Sequence, residues 1–372
     1  MRSAIISAPV RIFRRHATVD PHQGAWLALR RRVGARPSGI VQFPTRRSRL
    51  DELQPGESLL IVRKYGGLGD ILISSMLFPM LAAQYPEIRV TYAVPRHYHP
   101  LFERSGLQLL AYEDVFAVGT DYHRSAVRDA VVQAYDLIED ISIGCHVWEN
   151  FFVAYGGVDG DGHGLRWRNR LDMWGRWFGL QVAAPRTCIV IREEERAAAR
   201  RLLAQTLRGI GPVCLLAPFT ASPTKNYPWF AELVAGLAGR GYRVGLLHNA
   251  PVPGPVPTLT GLSLREMGAA CAAADLIVAA DTAAFHWGGI LGTRTVGIFN
   301  VNDGAAYCRY YPTAVPVQTC ASPCINVRYR DCARHLSAAQ LPTVPGVALS
   351  RCYPRATVDQ ILEAVPCITA AS

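Results

Sequence analysis

The sequence has no long apolar run. No stretch approaches the roughly 18 uninterrupted apolar residues that a transmembrane helix needs. The longest candidates, Leu68–Ala83 and Met267–Ala280, are interrupted by Asp70, Pro79 and Asp275. The amino terminus lacks an apolar core followed by a small-residue cleavage site, which argues against a secretory signal. Acid is scarce at the start: residues 1–50 carry eleven arginines, no lysine and one acid, Asp20. The formal net charge of +10 therefore resides in those fifty residues, and residues 51–372 are formally neutral. That excludes a uniformly basic nucleic-acid binder. Charged residues make up 18% and hydrophobic ones 50% of the chain, which excludes disorder as its general state. No internal repeat of fixed period is evident.

What is present is chain enough for two domains, 372 residues. Of ten cysteines, Cys188, Cys214 and Cys271 lie in apolar surroundings and read as small buried hydrophobes. With no export signal, a reduced, cytoplasmic protein is expected. An organelle transit peptide is the alternative reading of the arginine-rich leader.

From residue 59 onward, short β-rich runs alternate with helical stretches. Leu59–Tyr65 reads as a strand, Asp70–Gln84 as a helix and Arg89–Val94 as a strand, with weaker strands at Val115–Val118 and Tyr135–Ile138. Trp167–Leu180 has helical spacing, and a break follows at Gln181–Arg186. The alternation then restarts: helix Glu193–Thr206, strand Val213–Ala217, helix Pro228–Gly239, strand Tyr242–His248. It continues with helix Ser263–Ala273, strand Asp275–Ala280, helix Ala283–Leu291 and strand Thr295–Asn300. Alternation at this length predicts parallel sheets of βαβ units. Two series with a break predict an α/β protein of two doubly wound, Rossmann-like domains facing each other. The expected division is a basic extension over 1–54 and domains over 55–184 and 185–372. Ligands of such folds sit beyond the carboxyl ends of strands.

Three segments fall at such ends. The first is Gly66-Gly67-Leu68-Gly69-Asp70, where glycines permit a sharp strand-to-helix turn and close approach to a ligand. Asp70 then stands at a helix start, as a simple cap or as a functional carboxylate. The spacing is not G-x-G-x-x-G, which disfavours a nicotinamide cofactor. The second segment, Pro218–Trp229, offers Thr220, Ser222, Thr224 and Lys225, a hydroxyl-rich loop with one cation suited to a phosphate or diphosphate. A solvated connection is the bland alternative. The third, Asp281–Gly289, opens a helix of small residues whose first amides, at Thr282, Ala283 and Ala284, form an anion site. His286, one turn in, reaches the same anion or acts as a structural hydrogen-bonder. Together they describe a phosphate-bearing donor held by the second domain and a carboxylate offered by the first.

The strand-GGLGD-helix opening, the PFTASPTKNYPWFAEL segment and the late DTAAFHWGGILGTRTVGIFN segment together resemble the heptosyltransferase-like glycosyltransferases of family 9. The resemblance covers roughly residues 58–365. It implies a GT-B fold and inverting transfer of a sugar, heptose from ADP-heptose, to a glycan or lipopolysaccharide-type acceptor, with no metal or other cofactor needed for the chemistry. It matches Asp70 to the general base that deprotonates the acceptor hydroxyl and Lys225 to the lysine that stabilises the departing diphosphate. Gly67, Gly69, Thr220, Ser222, Thr224, Asp281, Thr282, Ala283, Ala284 and His286 then belong to donor binding. Two loops depart from the family's pattern. Asn249-Ala250-Pro251-Val252 lacks the acid that contacts a donor ribose, and Val301-Asn302-Asp303-Gly304 replaces a Gly-Pro-Thr-type turn. A relative that glycosylates a protein, of the autotransporter type, or another glycan from a different nucleotide sugar is the alternative.

Cys320, Cys324, Cys332 and Cys352 form a cluster with a CxxxC pair, looser than a zinc knuckle. A structural zinc or iron site, free thiols and a disulfide pair all remain open from the residues. The resemblance favours metal, because relatives carry cysteines at similar places. The arginine-rich residues 1–50 lie outside the resemblance. A solvated tail is the bland reading, and adhesion to an anionic membrane surface bearing a lipid-linked acceptor is the functional one. Nucleic acid is the competing polyanion and would make the protein a binding module.

Overall fold

The computed structural model describes residues 45–47, 49–63, 67–115, 129–141, 169–221, 223–300, 303–318, 342–349 and 356–366. The leader up to residue 44, Ser222, Val301, Asn302 and the four clustered cysteines lie outside them. The chain divides into two compact units: residues 1–66 with 80–182, and residues 67–79 with 183–372.

In the first unit, β1 (Ser58–Val62) is buried along its whole length, as its apolar run SLLIV demands. It pairs in parallel with β2 (Arg89–Val94) and β4 (Leu137–Asp140), and β2 pairs in parallel with β3 (Gln108–Ala111). The order is β3-β2-β1-β4. Leu60, Val62, Ala93, Val115 and Ile138 form a core on this sheet. Arg47 enters at the sheet's amino-terminal edge, where its N–H donates to the Asp136 carbonyl at 2.9 Å.

Two local expectations are corrected. Of the predicted strand Val115–Val118, residues 116–118 lie outside the described residues and Val115 is not in a strand; the third strand of this sheet is Gln108–Ala111, with Leu110 opposite Ala93. Val115 instead ends a short helix, Tyr112–Val115, that turns its side chain into the same core. The predicted helix Asp70–Gln84 is two helices, α1 (Leu68–Ser74) and α2 (Leu77–Gln84). Pro79 has no N–H to give the Ser75 carbonyl, so the ladder breaks there. That carbonyl accepts the Cys188 N–H at 3.1 Å instead. The Ser74 and Ser75 hydroxyls donate back to the Ile71 and Leu72 carbonyls at 2.7 and 2.6 Å, which helps close the turn.

The second unit holds a six-stranded parallel sheet. Its strands are β5 (Val213–Ala217), β6 (Arg243–Leu247), β7 (Thr258–Leu259), β8 (Leu276–Ala280), β9 (Thr295–Phe299) and β10 (Ala314–Gln318). The order is β10-β9-β8-β5-β6-β7. The short β7 and the edge strand β10 have no strong sequence signal. Pro316 within β10 is tolerated because an edge strand leaves one side unpaired. β5 and β8 are fully buried neighbours in register, with Ala217 opposite Ala279. The chain progresses away from β5 in one direction and from β8 in the other, so the gap between them is the topological switch point of this sheet. Glu193–Thr206 and Leu264–Ala273 are helices that pack together. The Arg265 guanidinium grips Glu195 with two 2.7 Å bonds across that contact. The α/β class with two parallel sheets is as the alternation predicts. Among the described residues, no helix is long and apolar enough to cross a membrane.

Candidate active site

The loop after β5 is held from within. Asn226 is buried; its side-chain oxygen accepts the Thr220 N–H, and its amide donates to the Ala348 carbonyl at 2.7 Å. The Tyr227 N–H closes the loop onto the Pro218 carbonyl at 2.8 Å. Between these ties, Pro223–Lys225 form one turn of 3-10 helix that presents Lys225. Asn226 thus organises the loop although nothing in the sequence reading singled it out. The available signal was an asparagine beside the lysine, since this side chain readily bonds nearby backbone.

The loop after β8 meets it. Asp281 follows the buried strand, and its Oδ2 lies 2.6 Å from Lys225 Nζ. The lysine side chain is 25% exposed and the carboxylate 8%. Burial pushes the Asp281 carboxyl up, but Lys225 beside it, then His286, pull it further down. The net result is a group well below the usual carboxylate range. Asp281 is therefore a permanent anion facing the ammonium. An ammonium has three N–H donors, of which the nearby Asp281 Oδ2 takes one, so Lys225 has the capacity to meet an anion as well.

Helix Ala283–Leu291 starts at once. Thr282 is its extended cap residue, with no side-chain capping bond. Its hydroxyl oxygen is buried without a hydrogen-bond partner among the described residues. The amides of Ala283 and Ala284 belong to the first turn, where no intrahelical carbonyl is available to them. Hydroxyl, amides, helix dipole and ammonium therefore gather at the switch point, an arrangement suited to a phosphate group.

His286 lies inside that helix, only 4% exposed. Its Nε2 is 3.6 Å from Asp281 Oδ1, longer than a good hydrogen bond. Its Nδ1 is 3.0 Å from the Tyr311 hydroxyl. On one side the ring abuts Gly69, where a Cβ would fall 2.5 Å from His286 Cδ2. This glycine serves a close approach between helices, a demand as strict as the ligand contact expected for it. α1, which carries Asp70 in its first turn after the cap residue Gly67, packs on helix Ala283–Leu291. Asp70 is thereby attached to the same unit as Lys225, Asp281 and His286.

Thr224's backbone lies in the 3-10 turn, and Ser222 lies outside the described residues, as do Cys320, Cys324, Cys332 and Cys352. Among the described residues, no three His, Cys, Asp or Glu side chains are grouped to hold a metal. Burial pushes the Cys188, Cys271 and Cys308 thiols up to about 12, and Cys214 higher still, so none of the four supplies a thiolate.

No family model and no curated protein matches the chain. Solved structures do. The family 9 glycosyltransferase of Veillonella parvula is 14% identical with a TM-score of 0.48, covering 73% of this chain and 89% of that one. The heptosyltransferase WaaC of E. coli, solved with ADP, is 16% identical with a TM-score of 0.46 over 73% of this chain and 98% of its own. The iron-containing dodecameric glycosyltransferase TibC of enterotoxigenic E. coli is 15% identical with a TM-score of 0.46, covering 70% and 63%. These are distant likenesses, and the residues of this chain carry the chemical argument.

Proposed function

We propose that the chain is an inverting glycosyltransferase that moves a sugar, heptose from ADP-heptose in the first instance, onto a glycan or lipopolysaccharide-type acceptor. The observation that carries this reading is the meeting of Lys225 with Asp281 and an open helix start at the switch point of the second sheet. Such a place suits a diphosphate leaving group. Asp70 takes the proton of the acceptor hydroxyl, and that oxygen attacks the anomeric carbon from the face opposite the diphosphate. The bond from the anomeric carbon to the phosphate oxygen breaks. The negative charge that develops on the leaving diphosphate is met by Lys225, Thr282 and the first amides of the helix, preorganised before the reaction begins. None of these steps asks for a metal.

The donor nucleotide is open on one side. The loop Asn249–Val252, after β6, brings no acid to a ribose. Thermal shift with ADP, UDP and GDP decides the nucleotide, because a ligand of the native state raises its stability. ADP is expected to give the largest shift. Asp70→Asn should then abolish release of nucleotide from the sugar donor while leaving the shift with the nucleotide intact. Retained turnover in that variant sinks the role of Asp70, and a chain that no nucleoside diphosphate stabilises sinks the whole reading. The acceptor classes to be tried are a glycan, a lipid-linked glycan and a protein. The arginine leader would keep a cytoplasmic enzyme beside an anionic inner-membrane surface. Equal binding of anionic vesicles by full-length and 1–50-deleted protein would remove that part.

A further inference from the structure

Tyr311 belongs to none of the motifs, yet it is buried beside the site, 1% exposed. Its ring presses on Gly289, where a Cβ would come within 2.3 Å of it, and packs edge-on against Phe285. Its hydroxyl bonds His286 Nδ1 at 3.0 Å. Those contacts line up as Tyr311, His286, Asp281 and Lys225, with successive separations of 3.0, 3.6 and 2.6 Å.

We infer that Tyr311 is a positioning residue that sets Lys225 through His286 and Asp281. The anionic Asp281, 3.6 Å away, favours a proton on the ring nitrogen turned to it, and we assign that proton to Nε2. In the neutral ring, Nδ1 then accepts the Tyr311 hydroxyl proton. A half-turn of the ring would place Cε1 toward Asp281 and Cδ2 toward Tyr311, and both polar contacts would be lost. The Tyr311 hydroxyl opposes that turn, and Gly69 and Tyr307 leave the ring little room to move elsewhere. A held imidazole keeps Asp281 turned with one oxygen to His286 and the other to Lys225. That Lys225 then meets a diphosphate rests on the proposed glycosyltransferase activity; the positioning itself does not.

The test uses Tyr311→Phe, which keeps the ring and removes only the hydroxyl. The chain has two lysines, Lys64 and Lys225, so trace acylation followed by mass spectrometry reads Lys225 against Lys64 in one sample. Tyr311→Phe should raise the Lys225 to Lys64 labelling ratio a few-fold, because a loosened Asp281 frees the amine. An unchanged ratio in a folded variant overturns the inference. A second arm measures ADP and AMP affinity. Tyr311→Phe should weaken ADP about five-fold, the worth of one ordinary hydrogen bond, and leave AMP unchanged. The loss should vanish in a Lys225→Met background, because two residues acting through one contact are not additive. Equal weakening of ADP and AMP, or a loss that persists without Lys225, overturns the inference. If the native chain binds neither nucleotide, the ADP-heptose donor fails, and the labelling ratio still decides the role of Tyr311.

Discussion

The chain carries positive charge in two contrasting ways. Eleven arginines crowd its first fifty residues, while the site rests on a single lysine in a chain with only two. Arg46 is paired with Asp136 at 3.4 Å but stays 82% exposed, and Arg49 and Asp51 meet at 2.8 Å with both side chains largely in water. Water and salt screen such pairs, which contribute little to stability. Lys225 meets Asp281 at 2.6 Å where the carboxylate is withdrawn from water. The strength of a charge here is decided by its surroundings, and the count of charges says almost nothing about it. A flexible ammonium also suits the spot: it is a compact point charge with three donors, whereas a guanidinium is a rigid planar fork.

The contrast can be broken most forcefully at Lys225. Lys225→Ala should lower kcat with the native donor by about 10²–10³-fold, the usual loss of one charge stabiliser in a preorganised site. Lys225→Arg should recover only part of that. Full activity in Lys225→Arg would mean that any cation serves, and the contrast with the leader would fall. Next in size, Asp281→Asn should cost about 2 kcal/mol of stability in urea unfolding, the loss of a hydrogen bond to a charged group. A change too small to measure would place this pair with the surface ones.

An intermediate case lies at Glu195, gripped by Arg265 and lowered from 4.5 to about 2, chiefly by that hydrogen bond. Because the folded-state value lies below the unfolded one, the pair contributes stability above about pH 4.5. That contribution is lost as the pH falls toward about 2. Glu195→Gln should therefore lower Tm by about 2 °C near neutral pH, with the difference closing across that window. A pH-independent difference would trace to packing alone. At the small end, Arg49→Gln should leave Tm unchanged within error, and a measurable drop would show that the exposed arginines matter to the fold.

Much of the architecture was legible because local pattern and tertiary demand agree. β2, β5 and the helices Glu193–Thr206 and Ala283–Leu291 lie where periodicity puts them, since buried parallel strands need continuous apolar runs and helices need spaced ones. The failures come where one residue outweighs a pattern. Pro79 divides an apolar stretch into α1 and α2, and Val115 ends a short helix while Leu110, earlier in the chain, pairs with Ala93. In the site, Lys225, Asp281 and His286, which the structure brings together, were visible as chemistry at strand ends. Asn226 and Tyr311 were not, because an asparagine in a loop and a tyrosine between a helix and an edge strand carry no pattern of their own.

The sequence alone therefore determined the alternation, the two parallel sheets, the loops that carry polar groups and the uneven placement of charge. These follow from burial and backbone hydrogen bonding along each segment. Only the tertiary structure decided that β5 and β8 are neighbours, and hence that Lys225 pairs with Asp281. It likewise decided that Gly69 makes room for His286, and that Tyr311 holds the far side of that ring. Strand order and helix contact join residues far apart in the chain, and no local periodicity records such a meeting.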